Sequence, residues 1–142
     1  MDLVSADFDN TAISAIMNLG GMLFSAPTAY GTIFEPANIA AADYDLDGDF
    51  DMVAPNFHTS FFNCHENNGN GTFAPKVDFA CGSGPTFAGR AYLDGNGTPA
   101  IVTTNAFSDN VSVFLNQTPP VSTLIPTLSE WGLIAFGLIF WD

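Results

Sequence analysis

An acidic run in the middle of the chain has the residue types and spacing best suited to chemistry. The segment 43–51 reads DYDLDGDFD and places five carboxylates within nine residues. Carboxylates this close repel one another unless a cation neutralises them. The spacing predicts a calcium loop with a turn glycine, Gly48, at position 6. The predicted ligands are the side chains at positions 1, 3, 5 and 9 and the backbone carbonyl at position 7: Asp43, Asp45, Asp47, Asp51 and Asp49.

The chemistry of this loop selects the metal. Oxygen ligands without His or Cys favour Ca²⁺ over transition metals, so the predicted cofactor is Ca²⁺. The loop is not an EF-hand, because position 12 is Ala54 rather than Glu and the flanking segments have strand character. The alternative interpretation is a solvated acidic turn that binds no ion.

The remaining candidates for catalysis are weak. His58 and His65 lack Ser, Cys or Asp partners at a recognisable spacing. The segment 82–85, GSGP, is not a nucleophile elbow, and no Lys follows the Asn-Gly turns as in a phosphate loop. We therefore predict no catalytic residue and a protein that is not an enzyme.

Composition limits the possible partners. The 142-residue chain carries 2 Lys and Arg against 15 Asp and Glu, for a formal charge of −13. Such a chain lacks the cations needed to bind nucleic acid or to dock on anionic lipid through a basic patch. Its 14 Phe, 13 Gly and 9 Pro favour an all-β fold that is rich in turns.

The chain matches itself without gaps at an offset of 49 residues. The tripeptide at 2–4 (DLV) falls on those at 51–53 (DMV) and 100–102 (AIV), and Asn18 falls on Asn67 and Asn116. We expect about three four-stranded antiparallel blade-like repeats, incomplete and of the β-propeller type. The predicted copies lie near 1–36, 37–85 and 86–118.

The complete middle copy defines the four strands of a repeat. They are predicted as strand a at 37–42, strand b at 50–56, strand c at 60–66 and strand d at 73–80. The Asn-Gly run at 67–71 between strands c and d suits a tight turn. The first copy begins at strand b and the third stops after strand c, so closure into a propeller of 4 to 8 blades is not expected from this chain.

The acidic loop has a degenerate counterpart in the third copy. It keeps the turn glycine, Gly97, but has Tyr92 and Ala100 at positions 1 and 9. Its remaining polar residues are Asp94, Asn96 and Thr98. This loop is predicted to be empty or weak. In the first copy Asp2 holds position 9, and the other ligands of that loop would precede Met1.

Two further groups of residues leave alternatives open. The register of the predicted hairpin does not place Cys64 and Cys81 opposite each other, and their redox state is left open. Four sequons are candidate attachment points for surface glycans: Asn70, Asn96, Asn110 and Asn116.

The segments 41–53 (AADYDLDGDFDMV) and 67–73 (NNGNGTF) together resemble the FG-GAP, VCBS-type repeats of bacterial secreted and surface proteins. Integrin α-subunit propellers are similar at a greater distance. The resemblance covers about residues 2–117. It implies propeller-type blades, calcium in the loop between the first two strands, and adhesion or extracellular assembly more often than catalysis.

Residues 119–142 form a linker and an apolar tail. The stretch 121–125 is a candidate strand d for the third copy, and the Thr127/Glu130 capping box predicts a short hydrophobic C-terminal helix. The segment 125–132, IPTLSEWG, closely resembles the IPTL-CTERM sorting signal of Gram-negative bacteria, which implies export. The apolar run is shorter than the roughly 20 residues needed to span a bilayer. A truncated sorting signal, a helix that joins subunits and a core helix remain the alternatives.

We therefore expect a non-catalytic, calcium-binding repeat protein of the bacterial cell surface or exterior. It would act in adhesion or as a self-assembling fibre or sheath subunit, forming homo-oligomers through sheet edges and the apolar tail. Contact with a membrane would be transient and through the tail. The alternative is a fragment of a larger propeller enzyme or carbohydrate-binding protein.

Overall fold

A computed structural model describes residues 2–116, and this part of the chain is all-β with antiparallel sheets. Its single helical element is a 3₁₀ turn at Phe8–Asn10. Within residues 2–116 no helix has the length and hydropathy needed to cross a membrane. The predicted C-terminal helix and the tail 119–142 lie outside the described residues.

Twelve strands make up this region. In chain order they are β1 (Leu3–Asp7), β2 (Ala12–Ile16), β3 (Asn18–Gly20), β4 (Leu23–Phe24), β5 (Thr28–Gly31), β6 (Ala40–Ala42), β7 (Asp51–Asn56), β8 (Phe61–His65), β9 (Val77–Ala80), β10 (Pro85–Ala91), β11 (Ala100–Asn105) and β12 (Asn110–Phe114). Sheet 1 has the order β1-β2-β5, sheet 2 the order β6-β7-β8-β9, and sheet 3 the order β10-β11-β12. Strands β3 and β4 form a separate hairpin.

The three sheets follow the period of the sequence. Strands β2, β8 and β12 begin at Ala12, Phe61 and Asn110, each 49 residues after the one before. Each contains five residues and pairs with the strand that precedes it in the chain. Sheet 2 alone has four strands among the described residues, as expected for the complete middle copy.

Two of the predicted strands are shorter than expected. Strand d begins at Val77 rather than Phe73, because Pro75 offers no N–H to the ladder and Phe73 makes only an isolated bridge to Asn67. Strand a begins at Ala40 rather than Ala37. Upstream of it Pro36 bridges Asn56, so the residues between form a bulge.

The hairpin β3–β4 was not expected from the sequence. It pairs Asn18 with Phe24, and the bridge between Asn67 and Phe73 repeats that pair 49 residues later. The connection between the third and fourth strands of a repeat is therefore a small hairpin in both copies. The Asn and Gly residues that repeat in this connection therefore indicate a short hairpin rather than a tight turn alone.

Two apolar clusters hold the sheets face to face. Ile13 of sheet 1 packs with Met52 and Ala54 of sheet 2, and all three are buried. Phe62 of sheet 2 lies edge-on to Phe114 of sheet 3, with ring centroids 4.8 Å apart. The clusters lie between consecutive sheets, so sheet 2 is covered on both faces and sheets 1 and 3 each bury one face against it.

The cysteines line the second of these clusters as free thiols. Cys64 on β8 is opposite Val77, whereas the N–H of Cys81 donates to the carbonyl of Ser60 at the far end of the same strand pair. The expectation that strand register keeps them apart is confirmed. Burial raises the pKa of Cys64 to about 12, which favours the protonated thiol at neutral pH.

Candidate metal centre

The acidic loop connects β6 to β7 at one end of sheet 2. It brings Asp43, Asp45 and Asp51 together, with one carboxylate oxygen from each lying within 4.8 Å of the others. The antiparallel pairing of Ala42 with Asp51 fixes this arrangement, because it holds the first and last residues of the loop side by side. In residues 2–116 no other group of three such side chains is this close.

Asp51 is the most firmly positioned of the three carboxylates. Its side chain is buried, and its two oxygens accept hydrogen bonds from the backbone N–H of Tyr44 at 3.0 Å and of Asn67 at 2.9 Å. Burial raises the pKa of Asp51, and the neighbouring carboxylates of Asp45 and Asp47 raise it further. Because a carboxylate has about four lone-pair sites, Asp51 can accept these two hydrogen bonds and also coordinate a cation.

Asp43 supplies the clearest sign that the loop suits a metal ion. Its Oδ2 accepts a hydrogen bond from the N–H of Gly48 at 3.1 Å. Its Oδ1 is buried and has no hydrogen-bond partner. A buried oxygen without a donor is costly unless a ligand satisfies it. A calcium ion among the three carboxylates would do so, because oxygen is its preferred donor.

The other aspartates have different positions. Asp45 Oδ1 accepts from the N–H of Asp47, and Asp47 Oδ1 accepts from the N–H of Asp49, so each carboxylate closes a short turn. Asp47 is exposed and outside the three-carboxylate group. The Asp49 side chain lies against the Asn-Gly turn at 67–71, because its Oδ2 would be only 3.0 Å from a Cβ atom added to Gly69.

Burial also raises the pKa of Asp45, with repulsion from Asp47 and Asp43 as a further cause. Asp45 and Asp51 are therefore both harder to ionise without a counter-charge. The loop also holds Leu46 and Gly48 at φ values of 67° and 101°. Leucine in the left-handed region is strained, which is typical of loops held in place for a function.

Asn67, which was not predicted as a site residue, connects the acidic loop to the turn that follows β8. Asn67 donates its backbone N–H to Asp51 and its Nδ2 to the carbonyl of Phe50 at 3.1 Å. The first copy repeats the main contact, because the N–H of Asn18 donates to Asp2 Oδ1 at 2.7 Å. The signal was available, since an aspartate is followed 16 residues later by an asparagine in both copies.

The third copy's loop is closed by neutral groups. Asn96 Oδ1 accepts from the N–H and hydroxyl of Thr98 at 2.8 and 2.6 Å. Asn96 Nδ2 donates to the carbonyl of Asn116 at 2.9 Å, and the single hydroxyl proton of Thr98 is shared between Asn96 Oδ1 and that carbonyl. Asp94 accepts one hydrogen bond, from the N–H of Asn96. The side chains that replace positions 1 and 9, Tyr92 and Ala100, have no oxygen that could act as a carboxylate ligand.

The histidines lie in structural settings. His58 Nδ1 contacts the carboxylate of Glu35, and its ring packs against Phe57 and Phe107. His65 is buried, with Nδ1 at 3.3 Å from the carbonyl of Ala74 and Nε2 without a partner. Burial lowers the pKa of His65.

A comparison with protein families matches the IPTL-CTERM motif to residues 125–140, beyond the described part of the chain. IPTL-CTERM is a C-terminal sorting signal of exported proteins. The resemblance to FG-GAP or VCBS-type repeats is not supported by a family match. Comparison with curated proteins and with solved structures finds no match.

Proposed function

We propose that this chain is a non-catalytic, calcium-stabilised repeat module of an exported bacterial surface protein. The observation that carries the proposal is the cluster of Asp43, Asp45 and Asp51, together with the buried Oδ1 of Asp43 that has no hydrogen-bond partner. Calcium would neutralise the cluster and connect β6 to β7. The module would then serve adhesion or assembly, with stability that depends on the ion.

Three features support an extracellular setting. The sorting motif at 125–140 is typical of exported proteins. A formal charge of −13 with only 2 cationic side chains suits an exterior where divalent ions are plentiful. The sheets follow one another face to face, which is the arrangement of propeller-type blades and fits the resemblance to FG-GAP repeats.

The test is thermal unfolding of the purified chain in calcium and in chelator. An ion that binds only the folded state raises the free energy of unfolding by about 2.7 kcal/mol when its free concentration is about 100 times Kd. We expect a higher melting temperature in calcium than in chelator. The same comparison on Asp43→Asn should show little shift, whereas Asp94→Asn, in the third copy's loop, should shift like the wild type. An equal melting temperature in calcium and chelator would contradict the proposal.

A second candidate function is carbohydrate binding, as part of a larger propeller protein. A cleft of about 380 Å³ lies between sheets 2 and 3 beside the acidic loop. Its walls combine Asp45 and Glu66 with the ring of Phe79. Carboxylates and aromatic faces are the groups that bind sugar hydroxyls and ring C–H groups. Calorimetric titration with simple sugars in calcium tests this candidate, and no heat of binding would count against it.

A further inference from the structure

The outer face of sheet 3 has no cover within the described residues. Strand alternation puts Val102, Val111 and Val113 on the face of sheet 3 that points away from sheet 2, opposite to the face of Phe114 and Ile101. Val111 and Val113 are 56% and 51% exposed. Together with Phe87, these three valines define what we call the exit face.

The exit face repeats positions that are buried in the two preceding sheets. Val111 corresponds, at steps of 49 residues, to Phe62 and Ile13, and both of those are fully buried. Phe62 packs against sheet 3 and Ile13 against sheet 2. The same position therefore contacts a following sheet twice, and the third time nothing among residues 2–116 covers it.

The opposite end of the molecule offers the matching surface. On sheet 1, Leu3 pairs with Ile16 and Ser5 pairs with Ser14, on the face away from sheet 2. We call these four residues the entry face. The equivalents of Leu3 are Met52 and Ile101, which pack against the preceding sheet in the two clusters. In sheets 2 and 3, the residue equivalent to Leu3 therefore packs against the face of the preceding sheet that corresponds to the exit face.

Resting on the assembly role proposed above, we infer that the exit face binds the entry face of a second copy of this chain. The junction continues the interface already used twice between consecutive sheets. It joins two different surfaces, so it generates either a ring or an open filament. No Asp, Glu, Lys or Arg lies among the exit-face residues, and the carboxylate on the entry-face side of β1, Asp7, accepts hydrogen bonds from the hydroxyls of Ser5 and Ser14.

Electrostatics sets the condition for assembly. Two copies that each carry a formal charge of −13 repel at low ionic strength. Both salt and bound calcium reduce that repulsion. Association through the uncharged exit face should therefore strengthen as salt rises, whereas contacts based on ion pairs would weaken.

The experiment is sedimentation velocity on the full chain in calcium across micromolar concentrations. We expect concentration-dependent species larger than the monomer. Val113→Glu should weaken association by at least about tenfold because a charge would be buried at the junction. Val111→Glu provides a second variant of the same face. Met22→Glu is the matched control, since Met22 is 93% exposed in the β3–β4 turn and outside both faces.

Mixing two variants separates this junction from any other. Leu3→Glu blocks the entry face but keeps the exit face, and Val113→Glu does the reverse. Each alone should be monomeric, and their mixture should form one junction and stop at a dimer. A monomeric wild type, equal association of Val113→Glu and Met22→Glu, or a mixture that stays monomeric would each overturn the inference. The first result rejects self-association, and the second points to the tail or another surface.

The calcium-dependent melting shift is measured on the same samples. Val113→Glu should keep it, because Val113 is on another sheet from the acidic loop. Loss of association with a retained calcium shift supports the junction. A wild type that binds calcium but stays monomeric rejects the junction while leaving the calcium site in place.

Discussion

The loops at 43–51 and 92–100 occupy the same place in consecutive sheets and differ in how they are held together. Both end beside the second strand of their sheet, and both keep a glycine in the left-handed region, Gly48 at φ 101° and Gly97 at φ 84°. The first loop gathers three carboxylates, whereas the second is closed by amide and hydroxyl hydrogen bonds. The turn is therefore independent of the charges it carries.

The two loops differ in whether the chain itself satisfies their buried polar groups. The neutral loop satisfies its own polar groups through Asn96 and Thr98. The acidic loop leaves Asp43 Oδ1 buried and unsatisfied, and burial raises the pKa values of Asp45 and Asp51. A loop built for the fold alone would resemble the neutral copy. The acidic copy has the features of a loop completed by a cation.

The largest expected effect is that of Asp51→Asn in calcium. The amide can accept through one oxygen only, and it weakens both the contact with Asn67 and the proposed ion site. We expect a loss of about 3 kcal/mol in the free energy of unfolding, measured by urea denaturation in calcium. In chelator the loss should be smaller, because removing the charge also relieves repulsion. Asp94→Asn should change stability by less than about 0.5 kcal/mol, and an equal loss in both variants would contradict the difference between the loops.

The next effect is the conversion of the neutral loop into an acidic one. Tyr92→Asp combined with Ala100→Asp restores positions 1 and 9. Ala100 is buried, so in chelator the double variant should lose about 2 kcal/mol or more from an unpaired buried carboxylate. In calcium it should recover and bind one more ion per chain than the wild type, as counted by equilibrium dialysis. Recovery without added calcium binding would show that position and charge do not make the site.

A smaller effect concerns the strained residue of the acidic loop. Leu46, at φ 67°, corresponds to Gly95, at φ 72°. A Cβ at Gly95 would meet no atom within 4 Å, so Gly95→Leu tests the backbone conformation alone. We expect a loss of about 1 kcal/mol in thermal or urea unfolding. An unchanged stability would show that this turn tolerates leucine in both loops and that Leu46 is not strained.

The smallest effect is the pH dependence of His65, whose equivalents Ile16 and Phe114 are apolar. Burial lowers its pKa below 6.5, with a minor contribution from Lys76, while Asp78 acts in the opposite direction. The folded state therefore favours neutral imidazole. The contribution of the buried neutral ring to the free energy of unfolding is complete above pH 6.5. It declines as the pH falls through that value and towards the lower folded-state pKa. His65→Phe should lose less stability than the wild type over this interval, and identical pH profiles would contradict the assignment.

The sequence predicted the parts of the fold that follow from short apolar runs and from repetition. Strands b and c of the middle copy were placed within a residue or so, because each is a short apolar-rich run set off by clusters of Gly, Asn and Asp. Strand a was placed too long because the bulge after Pro36 depends on the partner strand. Strand d was placed too long because Pro75, whose missing N–H is a local signal, was not taken as a break in the strand. Five candidate ligands were named from spacing, with Asp49 acting through its backbone carbonyl. The structure groups the carboxylates of Asp43, Asp45 and Asp51 and leaves that of Asp47 outside, which spacing alone did not distinguish. The contact from Asn67 to Asp51 joins residues 16 apart, so a local motif does not reveal it, and the only signal in the sequence is the repetition of an aspartate and an asparagine at this separation in the first copy.

The central claim is that the cluster of Asp43, Asp45 and Asp51 binds a calcium ion. Calorimetric titration of the chelator-treated chain with calcium tests it most directly. We predict one ion per chain for the wild type and for Asp94→Asn, and no specific binding for Asp43→Asn. Absence of binding to the wild type, or unchanged binding in Asp43→Asn, would contradict the account.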